Sequence, residues 1–322
     1  MIDKFEFLGR TLPRLAWASI CVLACLLCAS PASAADEAPA AAANSTSAAP
    51  TPGWTLRLPK DEAVSYRGLA RFDNAGGPGA QILYPAPGIA GLLVAIATHG
   101  AIVDAQKRAE KDRIQAAADS VLTPYRAVLD TYTHRDLMRM GLQKAGGAGE
   151  GRLVEFAAPR TEERMVESVP VFFMTADAKA LILDAAVVVY SPGGAQAPVY
   201  QNVIRVISEP QDSRDMAEFW NARQGEQLRE KSALLFARAL EIVFKELQPA
   251  PAGEAAVHKT VRYMEGGTER MERGQVLGEQ CDRVLIKNLR GWLMSVPARP
   301  GKTTDAATAS CSTVAGGTQV PR

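Results

Sequence analysis

The run from Ala180 to Tyr190 limits the fold more than any other stretch of this chain. Leu181-Ile182-Leu183 and Val187-Val188-Val189 are apolar at consecutive positions, so a strand built from them presents hydrophobic side chains on both faces of a sheet. Such a strand belongs in a sheet interior, covered on both sides. Val169 to Met174 and Val199 to Ile207 flank it with β-branched and aromatic residues, across the short connections Thr175 to Lys179 and Ser191 to Pro198. Connections of that length make hairpins, which predicts an antiparallel meander of three strands.

The next segment supplies a cover. Asp212 or Ser213 is placed to cap a helix with Asp215 and Glu218 in its first turns, Lys245 and Glu246 near its end, and Pro249 and Pro251 beyond. Met216, Phe219, Trp220, Leu235, Phe236, Leu240, Val243, Phe244 and Leu247 recur at threes and fours, the spacing of a buried helical stripe. Arg223 to Lys231 interrupts that stripe, which predicts a more exposed middle.

Upstream, Trp54 to Leu58, Tyr66 to Phe72 and Arg152 to Ala157 read as strands. Between them, Pro85 to Arg113 has two halves of opposite character. Gly88 to Val103 is apolar apart from Thr98 and His99, and Asp104 to Arg113 is highly charged. Without a proline between Pro87 and Pro124, one helix to about Leu122 is the simplest expectation. Thr123-Pro124 reads as a cap that restarts a shorter helix. Thr133 and Asp136 resemble a capping box for another, His134 to Ala145, closed by Gly146-Gly147. Downstream, Val257 to Met264 and Thr268 to Leu277 flank Gly266-Gly267 as a tight hairpin, with Cys281 to Asn288 and Trp292 to Val296 as further strands. The expected fold class is therefore α+β: a long N-terminal helix with a helical hairpin, an antiparallel β-meander covered by a long amphipathic helix, and a small C-terminal β element.

The chain starts with the features of an export signal. Lys4, Arg10 and Arg14 precede the apolar run Leu15 to Leu27, and Ala32-Ser33-Ala34 offers a cleavage site between Ala34 and Ala35. An uncleaved anchor is one alternative. Lipidation is another, since Val22-Leu23-Ala24-Cys25 loosely fits a lipobox with Cys25 acylated. The expected division is a signal peptide over 1–34, an Ala/Pro/Ser/Thr linker over 35–53, a main domain over 54–248, a β-hairpin element over 249–297 and a flexible tail over 298–322. The expected location is the periplasm or cell envelope of a bacterium.

Loss of the signal removes Lys4, Arg10 and Arg14 from 36 basic side chains and Asp3 and Glu6 from 35 acidic ones, leaving 33 of each. That neutral balance does not point to nucleic acid or to a strongly charged partner. Cys21, Cys25 and Cys28 leave with the signal, and Cys281 and Cys311 remain. Two thiols in an oxidising compartment pair readily, in a bridge worth roughly 3.6 kcal/mol on the chain-entropy estimate; two free thiols are the alternative.

Catalytic spacing is missing. The chain has no G-x-S-x-G, H-E-x-x-H, G-x-x-x-x-G-K-[ST] or G-x-G-x-x-G, and His99, His134 and His258 fall in three different elements. Neither a cofactor nor a metal is implied. His99 lies within the apolar half of its helix, where an imidazole needs a hydrogen-bond partner. As a helix, the sixteen residues from Gly88 to Val103 span about 24 Å, short of the roughly 30 Å of a hydrocarbon core. Gly91 and Ala95 have the small-xxx-small spacing that lets backbones approach. The segment 88–103 is therefore expected either to pack on the protein's own sheet or to contact a protein or membrane partner. A non-catalytic envelope component fits this pattern; a hydrolase-like periplasmic enzyme and a small-ligand binding protein are the competing classes.

Overall fold

The computed structural model describes residues 53–71, 105–193, 197–248, 257–280 and 282–298. In chain order they form β1 (Trp54–Arg57), β2 (Ser65–Gly68), α1 (Ala105–Asp119), a 3-10 segment Ser120–Tyr125, α2 (Arg126–Leu129), α3 (His134–Lys144), β3 (Gly151–Val154), β4 (Arg164–Met174), β5 (Leu181–Tyr190) and β6 (Pro198–Ile207). After these come α4 (Met216–Glu246), β7 (His258–Glu265), β8 (Thr268–Gln280), β9 (Arg283–Asn288) and β10 (Leu293–Pro297). The chain is a mixed α+β protein with a ten-stranded sheet and few helices.

The two-faced apolar run is β5, and all ten of its residues are buried. It pairs antiparallel with β4 on one side and β6 on the other, as the hairpin-length connections require. Leu181, Leu183, Ala185, Val187 and Val189 face the core shared with α4, where Trp220, Leu228, Phe236, Leu240 and Val243 meet them. On the opposite face, Ile182 packs with Ile207, Tyr263, Ile286, Met294 and Val296. The C-terminal strands thus help to cover the second face of the meander.

The connectivity differs from a simple meander with a separate hairpin. β10 pairs parallel with β6, so β7 to β10 continue the same sheet in the order β6-β10-β9-β8-β7. A parallel neighbour needs a long crossover, supplied here by everything between Ile207 and Leu293. At the other end, β1 and β2 lie one after the other along the free side of β4, both parallel to it, and β3 pairs parallel with β1. Their join, residues 58–64, touches α3: the Ala63 and Thr133 backbones form a bridge, and His134 donates its backbone N–H to the Glu62 carbonyl at 2.8 Å.

Several helix boundaries differ from the sequence expectation. α1 ends at Asp119 and passes into the 3-10 segment, which contains Pro124, so Thr123 caps nothing. Residues 85–104, which include most of the expected long helix, lie outside the described residues. The Thr133 cap is present, its hydroxyl accepting from the Asp136 N–H at 3.1 Å. α4 is capped by Asp215 rather than Asp212 or Ser213, and it is not one continuous helix. Ala222 is extended, and Arg223, Gln224 and Gly225 take left-handed conformations with φ of 51, 58 and 78°. Gly225 is required there twice over, because a Cβ would also lie 2.2 Å from Val128 Cγ1. The interrupted stripe at Arg223 therefore marks a break in the helix, not merely an exposed turn.

The β4–β5 turn ties three elements together. Asp177 accepts from Thr175 Oγ1 at 2.6 Å and from the Gly267 N–H at 2.6 Å, pinning the tip of the β7–β8 hairpin. Trp220 Nε1 donates to the Ala178 carbonyl at 2.7 Å and fastens the first turns of α4 to the same place. The Thr175 and Trp220 bonds satisfy half-buried and buried polar groups that would otherwise be costly to fold away from water, whereas the bond to Gly267 lies at the exposed surface.

Candidate functional site

The residues singled out in the sequence for export, lipidation, bridging or contact (Cys25, Ala34, Ala35, Gly91, Ala95, His99, Cys281 and Cys311) all lie outside the described residues. Two of the three histidines are described, and they stand apart. His258 is exposed at the start of β7. His134 is 4% exposed in the first turn of α3, with Nδ1 2.8 Å from the Asp61 carbonyl and Nε2 without a hydrogen bond. Burial lowers its pKa, opposed by the Asp61 and Pro170 carbonyls. Its place is a clamp between α3 and the 58–64 join. Among the described residues, no group of His, Cys, Asp and Glu could hold a metal ion.

Two ion pairs lie on the sheet face away from α4. Asp184 and Arg205 oppose each other across β5 and β6 in a bidentate pair at 2.5 and 2.6 Å. Glu167 holds Arg57 at 2.6 Å, with Arg160 stacked 3.6 Å over the Tyr190 ring. Both pairs answer a local need, because the apolar strands around them leave these charges little water.

The described groove with the most varied chemistry runs beside the second half of α4 and has a volume of about 280 Å³. Arg238, Glu241, Ile242 and Lys245 form one wall, the i, i+3, i+4, i+7 face of the helix. Gly278 and Glu279 of β8, Arg283 and Leu285 of β9 and Ser295 of β10 line the opposite side. The groove exists because the sheet continues past the helix through β10, β9 and β8.

Arg283 is the fixed point of this groove. It is 8% exposed; its Nε donates to Ser295 Oγ at 3.0 Å, one terminal nitrogen to the Ile207 and Ser295 carbonyls at 2.6 and 2.9 Å, and the other to Glu209. Burial lowers its pKa, Glu209 counteracts this, and the neighbouring Arg238 adds to it. Glu209 also meets Lys231 at 3.7 Å, and despite its burial these cations hold its carboxyl below the usual range. No local pattern in the sequence marks these residues as a group, since they come from β6, α4, β8, β9 and β10.

A second hollow of about 360 Å³ opens at the helix break and includes Asp215, Glu218, Phe219 and Arg223. Among the described residues no helix is long and apolar enough to cross a membrane. Comparison with family models, curated proteins and solved structures found no match.

Proposed function

We propose that this chain is an exported cell-envelope protein, a non-catalytic binding or assembly component that contacts a protein or membrane partner through the apolar stretch 88–103. The export signal and the Ala/Pro/Ser/Thr linker support the location. The observation that carries the contact is the character of α1, which follows that stretch directly. No described side chain from Ala109 to Asp119 is buried. Its contact with the sheet is made near its C-terminal end, where Gln115 Nε2 donates to the Gly68 carbonyl at 3.0 Å and Asp119 accepts the Gly68 N–H at 2.7 Å. A helix with no buried side chain among those described is suited to solvent rather than to a core.

Replacing Gly91 and Ala95 together with leucine tests this reading. The full chain is expressed in its native cell, fractionated, and its oligomeric state and membrane partition followed alongside its thermal unfolding. The expected result is a changed partition or assembly with an unchanged unfolding temperature. Loss of thermal stability with no change in partition or assembly would instead place 88–103 in the protein's own core and overturn the proposal. Intact mass of the same material reads cleavage after Ala34, acylation at Cys25, and the two-hydrogen deficit of a Cys281–Cys311 bridge.

A further inference from the structure

The strands β7, β8 and β9 have two faces in different surroundings. Val261, Tyr263, Val276 and Ile286 point into the smaller core, so their neighbours in sequence point the other way. The register sets Arg262 opposite Met271, Thr260 opposite Arg273 and Gln275 opposite Lys287 on that second face. Arg262, Met271, Arg273 and Lys287 are exposed there, Met271 by 60%. One step past the Gly274–Asn288 pair the chain turns towards β10, and Leu289 stands 66% exposed with Arg290 exposed beside it. Asn288 fixes this turn: its Oδ1 accepts the Arg290 and Trp292 N–H groups, both at 3.0 Å. Leu289 is therefore held out by a built turn.

Arg262, Arg273, Lys287 and Arg290 share this surface with one acid, Glu269, which pairs with Arg262 at 3.2 Å. Glu272 lies on the opposite face, across from Val261, and Glu279 is at the far end of β8 with Lys245 of α4. Arg273, Lys287 and Arg290 have no ion pair among the described residues, and the Trp292 ring 5.7 Å from Arg290 does not neutralise it. Three uncompensated cations thus surround two exposed apolar side chains, Met271 and Leu289. Cations alone would suit any polyanion. Apolar side chains among them suit a bilayer, whose headgroups meet the charges and whose interface takes up the apolar chains. We propose that this face of β7, β8 and β9, with the β9–β10 turn, docks on the surface of an anionic lipid bilayer. It shares no residue with 88–103, and contact through that apolar stretch has no need of anionic lipid.

The test mixes the chain, purified from its native cell, with phosphatidylcholine vesicles made with and without phosphatidylglycerol, and reads partition by sedimentation. Three cations near a charged surface should favour the anionic vesicles by about a hundredfold. That ratio should approach unity at about 1 M salt, where the screening length is about 3 Å. Arg273→Gln, Lys287→Gln and Arg290→Gln should each lower the ratio about fivefold, and the triple variant should abolish it. Met271→Ser with Leu289→Ser should weaken partition to the anionic vesicles about tenfold. Gly91→Leu with Ala95→Leu should leave the ratio unchanged, so failure here and failure of the contact proposed for 88–103 are read separately. Equal partition to both vesicle types, or an unchanged ratio in the triple variant, would overturn the assignment. So would a vesicle-free dimer that the Met271→Ser and Leu289→Ser protein no longer forms, which would give this face to a second copy of the chain.

Discussion

Gly68→Ala should release α1 from the body of the protein while leaving the sheet core folded. A Cβ at this position would lie 1.9 Å from the Ala118 carbonyl oxygen, 2.2 Å from its carbon and 2.7 Å from the Asp119 nitrogen. These are backbone atoms, so no side chain can swing aside. Relief requires β2 and the end of α1 to separate by about 1 Å or more, since non-bonded heavy atoms settle near 3.5 Å. Such a shift carries the Gly68 N–H to Asp119 bond, now 2.7 Å, and the Gln115 to Gly68 carbonyl bond, now 3.0 Å, beyond useful length. One charge-assisted and one neutral hydrogen bond together stabilise the docked helix by about 2.5–4 kcal/mol. Because α1 buries no described side chain, little else compensates.

The assay is native-state hydrogen exchange read by segment. Amides of α1 should lose protection by roughly a hundredfold or more, whereas those of β5 should exchange as in the parent. Arg67→Ala is the matched control. It removes only the exposed Arg67–Asp119 pair at 3.1 Å and should change protection by less than about fivefold. Unchanged protection of α1 in the Gly68→Ala protein, or equal loss throughout β5, would refute the local-fastening argument.

Three further perturbations test the fold. Gly225→Ala places a Cβ 2.2 Å from Val128 Cγ1 at a left-handed residue and should destabilise by about 1–3 kcal/mol in urea unfolding; adding Val128→Ala should recover part of that loss. Removing the acid of the cross-strand pair by Asp184→Ala leaves Arg205 uncompensated and should cost about 3 kcal/mol, whereas Asp184→Leu with Arg205→Met should be much closer to the parent in denaturant midpoint. For His134, burial lowers the folded-state pKa below that of the unfolded chain, so the unfolded state binds the proton more readily. Stability should therefore fall as pH drops below about 6.5 and level off beneath the folded-state value. His134→Gln should remove that component of the slope between pH 7 and pH 5 in denaturant midpoints.

Local periodicity found the strands and helices whose signal is short-range. β5 was legible because consecutive apolar residues have no stable place except a strand covered on both faces, and its partners followed from hairpin-length links. The Thr133 cap and the Gly266-Gly267 turn were legible because each rests on bonds within a few residues. The helix break at Ala222–Gly225 left only a weak trace, a gap in the apolar stripe. At the break, Gly225 lies against Val128, which is on α2 and distant in sequence.

The sequence by itself determined that this is a mixed α+β chain built around an apolar meander and a covering helix. Only the tertiary structure decided that β10 returns parallel to β6 and makes ten strands one sheet, because a parallel pairing across a long crossover has no local signature. The same pairing decides the groove. Lys245, Gly278 and Arg283 meet there because the sheet outruns the helix, and no spacing along the chain encodes where a sheet ends relative to its cover.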